Sequence, residues 1–200
     1  MKTPVNYSTV EEDILLLQQK SKNSSISIDE ILQTLSGKGQ ALILLLLSLP
    51  FCQPLQIPGL STPFGLTIAF IGLQMIFGKY AWLPKIISTK TIASHNLQTI
   101  TDKILWLLKK INRWVHPRLS LLCHHPAWQI INGLFIFVLG LLLALPMPIP
   151  FSNLLAAWSL FFMGVGLLKD DGVFVLISYF IALFTCAFFV ATVLLIKIHF

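Results

Sequence analysis

Charge is what this chain has least of. Asp, Glu, Lys and Arg make up 11% of its 200 residues, less than half of the roughly 25% found in an ordinary soluble chain. None of the four occurs in residues 39–78, 119–168 or 172–196. A water-soluble fold so short of charge could not cover its own surface, so the solvent for most of this chain is lipid. Disordered chains, secreted disulfide scaffolds and free cytosolic enzymes are excluded on the same ground. Cysteine is scarce as well: Cys52, Cys123 and Cys186 stand singly in or beside apolar segments, an odd and scattered set that builds no disulfide framework. An early apolar run is also missing. The first forty residues are polar, so no cleaved signal peptide is expected and the first membrane segment must direct its own insertion.

The equipment of soluble catalysis is absent too. No Gly-rich phosphate loop follows a strand pattern, and no Ser/His/Asp set or acid pair lies deep in the sequence. Cys123-His124-His125 is the one stretch that suggests metal. Adjacent histidines on a helix diverge, and no second ligand cluster accompanies them. The expectation is therefore a protein that is not an enzyme and holds no metal or cofactor.

The charges that do exist are segregated. The net charge is +6, and eight of the fourteen basic residues lie between the two long apolar blocks: Lys79, Lys85, Lys90, Lys103, Lys109, Lys110, Arg113 and Arg118, with Asp102 the only acid among them. Basic residues concentrated between membrane segments mark the cytoplasmic side, where they meet anionic head groups rather than nucleic acid. The expected setting is a bacterial inner membrane, crossed several times, with residues 79–118 in the cytoplasm.

Within the apolar blocks, prolines punctuate the pattern. Residues 1–26 read as a polar tail with a short helical stretch, Val10–Lys20, that exposes Leu15, Leu16 and Leu17. Ser27 and Glu30 form a capping-box signal for an amphipathic helix, Ile28–Ser36. The first block then runs as Ala41–Leu49, is interrupted by Pro50, Pro54, Pro58, Gly59 and Pro63, and resumes as Phe64–Gly78. The stretch Ile86–Val115 reads as a basic amphipathic helix whose Trp106 and Trp114 suit the head-group level. The second block runs as Trp128–Leu145, breaks at Pro146, Pro148 and Pro150, and resumes as Leu154–Leu168. Val173–Ile196 is a full span, with Ser178, Ala182 and Cys186 as a small-residue face. Nine apolar residues are short of the roughly 20 that one crossing needs. The blocks are therefore either re-entrant hairpins or tightly joined pairs of crossings.

The two blocks resemble one another. Pro54-Leu-Gln-Ile-Pro58 aligns with Pro146-Met-Pro-Ile-Pro150 at an offset of 92, which also sets Gly72 on Gly164. The expected fold class is thus an all-α integral membrane protein. It has two Pro-broken helical hairpins forming an internal repeat, amphipathic interfacial helices and one C-terminal transmembrane helix. Residues 27–196 form a single membrane domain: repeat 1 over 27–84, a linker over 85–118, repeat 2 over 119–172 and the last helix over 173–196. The stretch Lys79–Arg118 has no apolar span, so both blocks attach to the same side of the membrane, which argues against a simple inverted repeat unless part of Ile100–Val115 is buried across the bilayer; a homodimer is one way to supply the missing symmetry. A backbone break inside lipid survives only where protein or water covers its unpaired amides and carbonyls, and paired breaks in two halves point to a transporter-type site. The candidate solute-binding residues are Gln53, Gln56, Pro58, Ser61, Gln74, Pro150 and Asn153 at or near the breaks. Asp170 and Asp171 join them as acids between apolar segments. The plainer alternatives are interfacial turns for the prolines and a stop-and-turn for Asp170-Asp171-Gly172.

These residues resemble the bacterial exopolysaccharide-synthesis ExoD family. The likeness rests on Pro54–Gly59, on Gln74-Met75 with Gly78, on Trp82-Leu83-Pro84 and Pro117-Arg118-Leu119. In the second half it rests on Pro148-Ile-Pro150 with Asn153 and on Asp171-Gly172. It covers about residues 27–195. The resemblance implies an inner-membrane protein linked to exopolysaccharide production. Two functions are compatible with it. One is a transporter of a small polar or cationic, amino-acid-like solute, with the lipid bilayer as its other partner. The alternative is a non-transporting accessory subunit of a synthesis or export complex.

Overall fold

The computed structural model describes residues 10–21, 26–27, 38–53, 59–78, 91–92, 101–102, 104–106, 109–110, 115, 119–145 and 152–199. The chain divides into two compact units. One comprises Met1–Gln40 with Ala81–Val115; the other comprises Ala41–Tyr80 with His116–Phe200.

In the first unit, α1 (Val10–Ser21) buries Asp13 and Ile14 while Leu15 and Leu16 stay about half exposed. Two short strands, β1 (Ile26–Ser27) and β2 (Thr91–Ile92), pair antiparallel, Ile26 opposite Ile92 and Ser27 opposite Thr91. This corrects two expectations. Ser27 is a strand residue, and the helix expected over 86–115 does not run unbroken from its start, because β-branched Thr91 and Ile92 favour the extended pairing. Near residue 106 the chain is helical, and Lys110 places its ammonium 5.2 Å from the centre of the exposed Trp106 ring. The expected helix over 28–36 lies outside the described residues.

The second unit is a helical bundle. Helix α2 (Gly39–Ser48) tightens into a 3-10 turn, Leu49–Cys52, with Pro50 in its first positions. Proline removes an amide donor, so the α-helical ladder gives way there. Helix α3 is Ser61–Ile76. After one turn, α4 (Leu121–His124), come α5 (Pro126–Ala144), α6 (Ser152–Lys169) and α7 (Gly172–His199). Helix α5 starts where Pro126 sets φ and His125 Nδ1 accepts the Ala127 amide at 3.3 Å, an N-cap rather than a metal ligand.

Helices α3 and α5 form an antiparallel pair held backbone to backbone. Added Cβ atoms show how close they come. One at Gly72 would lie 2.5 Å from the Phe137 nitrogen and 2.7 Å from the Gly133 oxygen, and one at Gly140 would lie 2.5 Å from the Ala69 nitrogen. Gly65 meets Ala144 and Gly140 in the same way. Lipid tails are as apolar as leucine, so helices associate in a membrane by such close approach of small residues rather than by hydrophobic driving force. Helix α6 meets α2 through Gly164, whose added Cβ would lie 3.0 Å from the Leu45 nitrogen. Helix α7 packs on α6 by another device: the Ser159 hydroxyl donates to the Ser178 carbonyl and the Ser178 hydroxyl donates to the Ser159 carbonyl, both at 2.8 Å. The buried face of α7 is Val175, Ser178, Ala182 and Thr185. The expected every-fourth stripe thus holds at Ser178 and Ala182 and then drifts, since 3.6 residues per turn carry the face to Thr185 and leave Cys186 half-buried.

Among the described residues two helices, α5 and Gly172–Thr192 of α7, are long and apolar enough to cross a bilayer, with mean hydropathies of 2.1 and 2.6. Only 39% and 22% of these stretches is buried within the chain. Helix α5 exposes Ile130, Leu134, Val138 and Leu141; α7 exposes Leu176, Phe180, Leu183, Phe184, Val190 and Leu194. Helices this apolar and this bare face lipid. Helix α3, at 16 residues, is about 24 Å long, short of the roughly 30 Å hydrocarbon core.

Candidate functional site

The bundle has two chemically different ends. Helices α3 and α6 run parallel to one another because each is antiparallel to α5. Along the α3–α5 seam, Gly65 lies at Ala144 and Gly72 at Phe137. On the other side, the Cys123 thiol just before α5 reaches the Gly166 carbonyl near the end of α6, at 3.6 Å. The first turns of α3 and α6 therefore share one end with the last turn of α5. The last turns of α3 and α6 share the other end with α4.

The α4 end is a polar knot. Asn132, fully buried on α5, donates from Nδ2 to the Leu122 carbonyl at 3.0 Å and accepts the Tyr179 hydroxyl of α7 at Oδ1. The Tyr179 ring lies 4.5 Å from that of Phe135. Inside a membrane such side-chain amides must find partners, and Asn132 has one on each of its polar atoms. The same end holds the two acids. Asp170 has φ +55 and Asp171 donates its amide to the Gly166 carbonyl at 2.9 Å, the six-to-one bond of a Schellman stop. Asp171 is 2% exposed, and its Oδ1 accepts the Val173 amide at 3.0 Å, which makes it the N-cap of α7. Gly172 is needed beside it, since a Cβ there would lie 2.5 Å from the Leu119 carbonyl. Asp170-Asp171-Gly172 is thus a joint between two apolar helices. This is the stop-and-turn form, with the added feature that Asp171 is buried and committed to the helix start.

The other end carries the breaks. Gln56, Pro58 and Pro150 lie outside the described residues. Gln53 is exposed just after the 3-10 turn. Ser61, in the first turn of α3, is buried; Asn153, in the first turn of α6, is half-buried. Helix α3 begins after Leu60 with no side-chain cap, and neither α3 nor α6 has an acid in its first turn. Phe51 of the 3-10 turn is buried and packs edge-on against Phe64 of α3 at 5.4 Å. Gln74 is buried in the last turn of α3, away from this end. The structure therefore brings Ser61 and Asn153 to a common end and places Gln74, Asp170 and Asp171 at the opposite one. Asn153 and Asp170 are separated by the length of α6, about 25 Å. Among the described residues, Ser61 and Asn153 share no site with Gln74, Asp170 and Asp171.

Sequence reasoning passed over Asn132 and Tyr179, because nothing local joins residues 47 apart. The available signal was an Asn inside an otherwise apolar 19-residue helix, a costly placement that demands a partner. Among the described residues no cluster of His, Cys, Asp and Glu could hold a metal ion.

Comparison with known proteins supports the resemblance carried by the motifs. The family described as "Exopolysaccharide synthesis, ExoD" matches residues 11–191. The chain is 34% identical over 169 residues to "Protein ExoD" of Rhizobium meliloti (strain 1021), covering 84% of this chain and 70% of that protein. It is also 34% identical over 155 residues to an uncharacterized protein of Synechocystis sp., covering 77% of this chain and 72% of that one. No solved structure matches the chain.

Proposed function

Because the chain belongs to the ExoD family of exopolysaccharide-synthesis proteins, we propose that it serves that process from within the bacterial inner membrane, as a non-enzymatic carrier of a small polar solute. The solute passes at the end of the bundle where the two hairpins break. The observation that carries this reading is an equivalence between the halves. Shifting by 92 residues turns the contact of Gly72 with Phe137 into that of Gly164 with Leu45, and both are backbone approaches at an intact glycine. The same shift pairs Leu44 with Ile136, Phe51 with Leu143, Ile68 with Leu160 and Ile71 with Met163, all buried. It also pairs Gly78, φ +62, with Asp170, φ +55, each just past a helix end. These shared contacts, burial and backbone handedness support reading the two halves as copies.

In this reading the bundle is two copies of one hairpin. The first helix of each copy packs on the second helix of the other, so the copies interlock. Their parallel orientation corresponds to a repeat axis along the membrane normal, the arrangement of transporters whose sites lie between parallel repeats at discontinuous helices. The basic segment 79–118 joins the α3 end to the α4 end, so the polar knot faces the cytoplasm and the breaks lie farther from it. The cationic solute expected from the aspartates is dropped, since those acids form the joint between α6 and α7. Purified protein reconstituted in liposomes should give saturable uptake of small polar solutes, reduced by Ser61→Ala. Absence of flux, with stable co-purification of polysaccharide-synthesis proteins, would replace this reading with the accessory-subunit role.

A further inference from the structure

We infer that the first unit docks on an anionic lipid surface through the exposed face that carries Trp106, Lys109 and Lys110. The inference is independent of the carrier reading. It assigns a partner to the basic segment, which that reading uses only for orientation.

The residues around Trp106 divide by burial. Thr101 and Ile104 are buried, while Asp102, Trp106, Lys109 and Lys110 are exposed. The backbone is helical at residues 104–106 and 109–110, and at helical spacing positions 106, 109 and 110 fall on one face. The Trp106 ring is 64% exposed, an unusual state for the largest of side chains. The Lys110 ammonium lies 5.2 Å from the ring centre, so charge and ring are presented together. Tryptophan beside lysine suits the boundary of a bilayer. The indole takes the head-group level, and a lysine lays its stem on the apolar side and its ammonium toward phosphate.

Two facts choose anionic lipid as what covers this face. One is charge. Residues 79–118 hold eight basic side chains and a single acid, Asp102, an excess that anionic head groups reward and a zwitterionic surface does not. The other is the tether. The stretch runs between α3, which ends at Ile76, and α4, which begins at Leu121. Both of its ends are therefore tied to the bundle whose α5 and α7 face lipid. A surface tethered in this way meets the bilayer at high effective concentration, so modest contacts suffice to dock it.

The test uses the full-length protein in nanodiscs of phosphatidylcholine, with and without phosphatidylglycerol. The difference between wild-type and Trp106→Phe emission isolates this ring from the other four of the five tryptophans. With phosphatidylglycerol the ring should be shielded from acrylamide and quenched by lipid brominated near the head group. In phosphatidylcholine alone, or at high salt, it should be open to acrylamide. Lys109→Gln and Lys110→Gln should each lower the docked-to-free ratio about fivefold, with thermal unfolding unchanged because both side chains are exposed. Equal acrylamide quenching in the two lipids overturns the inference. So does shielding that persists in detergent without lipid, which would mean that protein covers the ring. Shielding unmoved by either lysine variant overturns it as well. Solute flux enters none of these outcomes, so the carrier reading stands or falls separately.

Discussion

The α3–α5 and α6–α7 pairs are both antiparallel and both close, yet the contacts that hold them differ in chemistry. Helices α3 and α5 bring backbone to backbone at Gly65, Gly72, Gly133 and Gly140. Helices α6 and α7 come as close only at Gly166, beside their joint, where an added Cβ would lie 2.9 Å from the Val175 nitrogen, and they tie Ser159 to Ser178 by two hydroxyl-to-carbonyl bonds. In water either pair could rely on burial of leucine. In lipid neither can, so van der Waals fit and hydrogen bonding must supply the specificity. The glycine seam gains contact area but has no tolerance for a methyl group. At the serine pair, removal of either hydroxyl adds no atom between the helices and costs only its hydrogen bond.

Substitutions at the glycine contacts, the polar knot and the serine seam would break or sharpen this contrast. The largest effect is expected at the glycine seam. Gly72→Ala puts a Cβ 2.5 Å from the Phe137 backbone nitrogen, so one helix must shift; the loss should reach about 3 kcal/mol or more, seen as a large fall in thermal unfolding temperature in detergent. Gly164→Ala meets Leu45 at 3.0–3.2 Å and should cost clearly less. Equal losses at the two sites would contradict the difference in closeness. An intermediate effect is expected at the polar knot. Tyr179→Phe leaves Asn132 Oδ1 without the hydroxyl that donates to it, at about 1–3 kcal/mol, and Asn132→Leu in the same background should recover part of that. No recovery would mean the ring of Tyr179, not its hydroxyl, holds α7. The smallest effect is expected at the serine seam. Ser159→Ala and Ser178→Ala should each cost about 0.6 kcal/mol, and a double-mutant cycle should show coupling between them. Purely additive losses would mean the two bonds act independently.

Much of the helix plan was legible because apolar runs and prolines are local signals. Trp128–Leu145 was expected where α5 occupies Pro126–Ala144, and Val173–Ile196 where α7 occupies Gly172–His199. The candidate site was legible only in part. Ser61 and Asn153 could be picked out as polar groups beside the breaks, but their presence at one end of the bundle could not. The aspartates stood out by rarity, and rarity does not separate a ligand from a helix cap.

The sequence by itself pointed to lipid as the solvent and placed the starts and stops of α5 and α7 to within a few residues. Each follows from composition and from spacing along one strand of backbone. Only the tertiary structure decided which helix meets which. It paired α3 with α5 and α6 with α7, joined Asn132 to Tyr179, and sent Asp171 to cap α7 at the end away from Asn153. Periodicity says which face of a helix is apolar or small. In a membrane every such face is acceptable to lipid, so the partner is chosen by the register in which two glycine faces, or two hydroxyls, can come within reach.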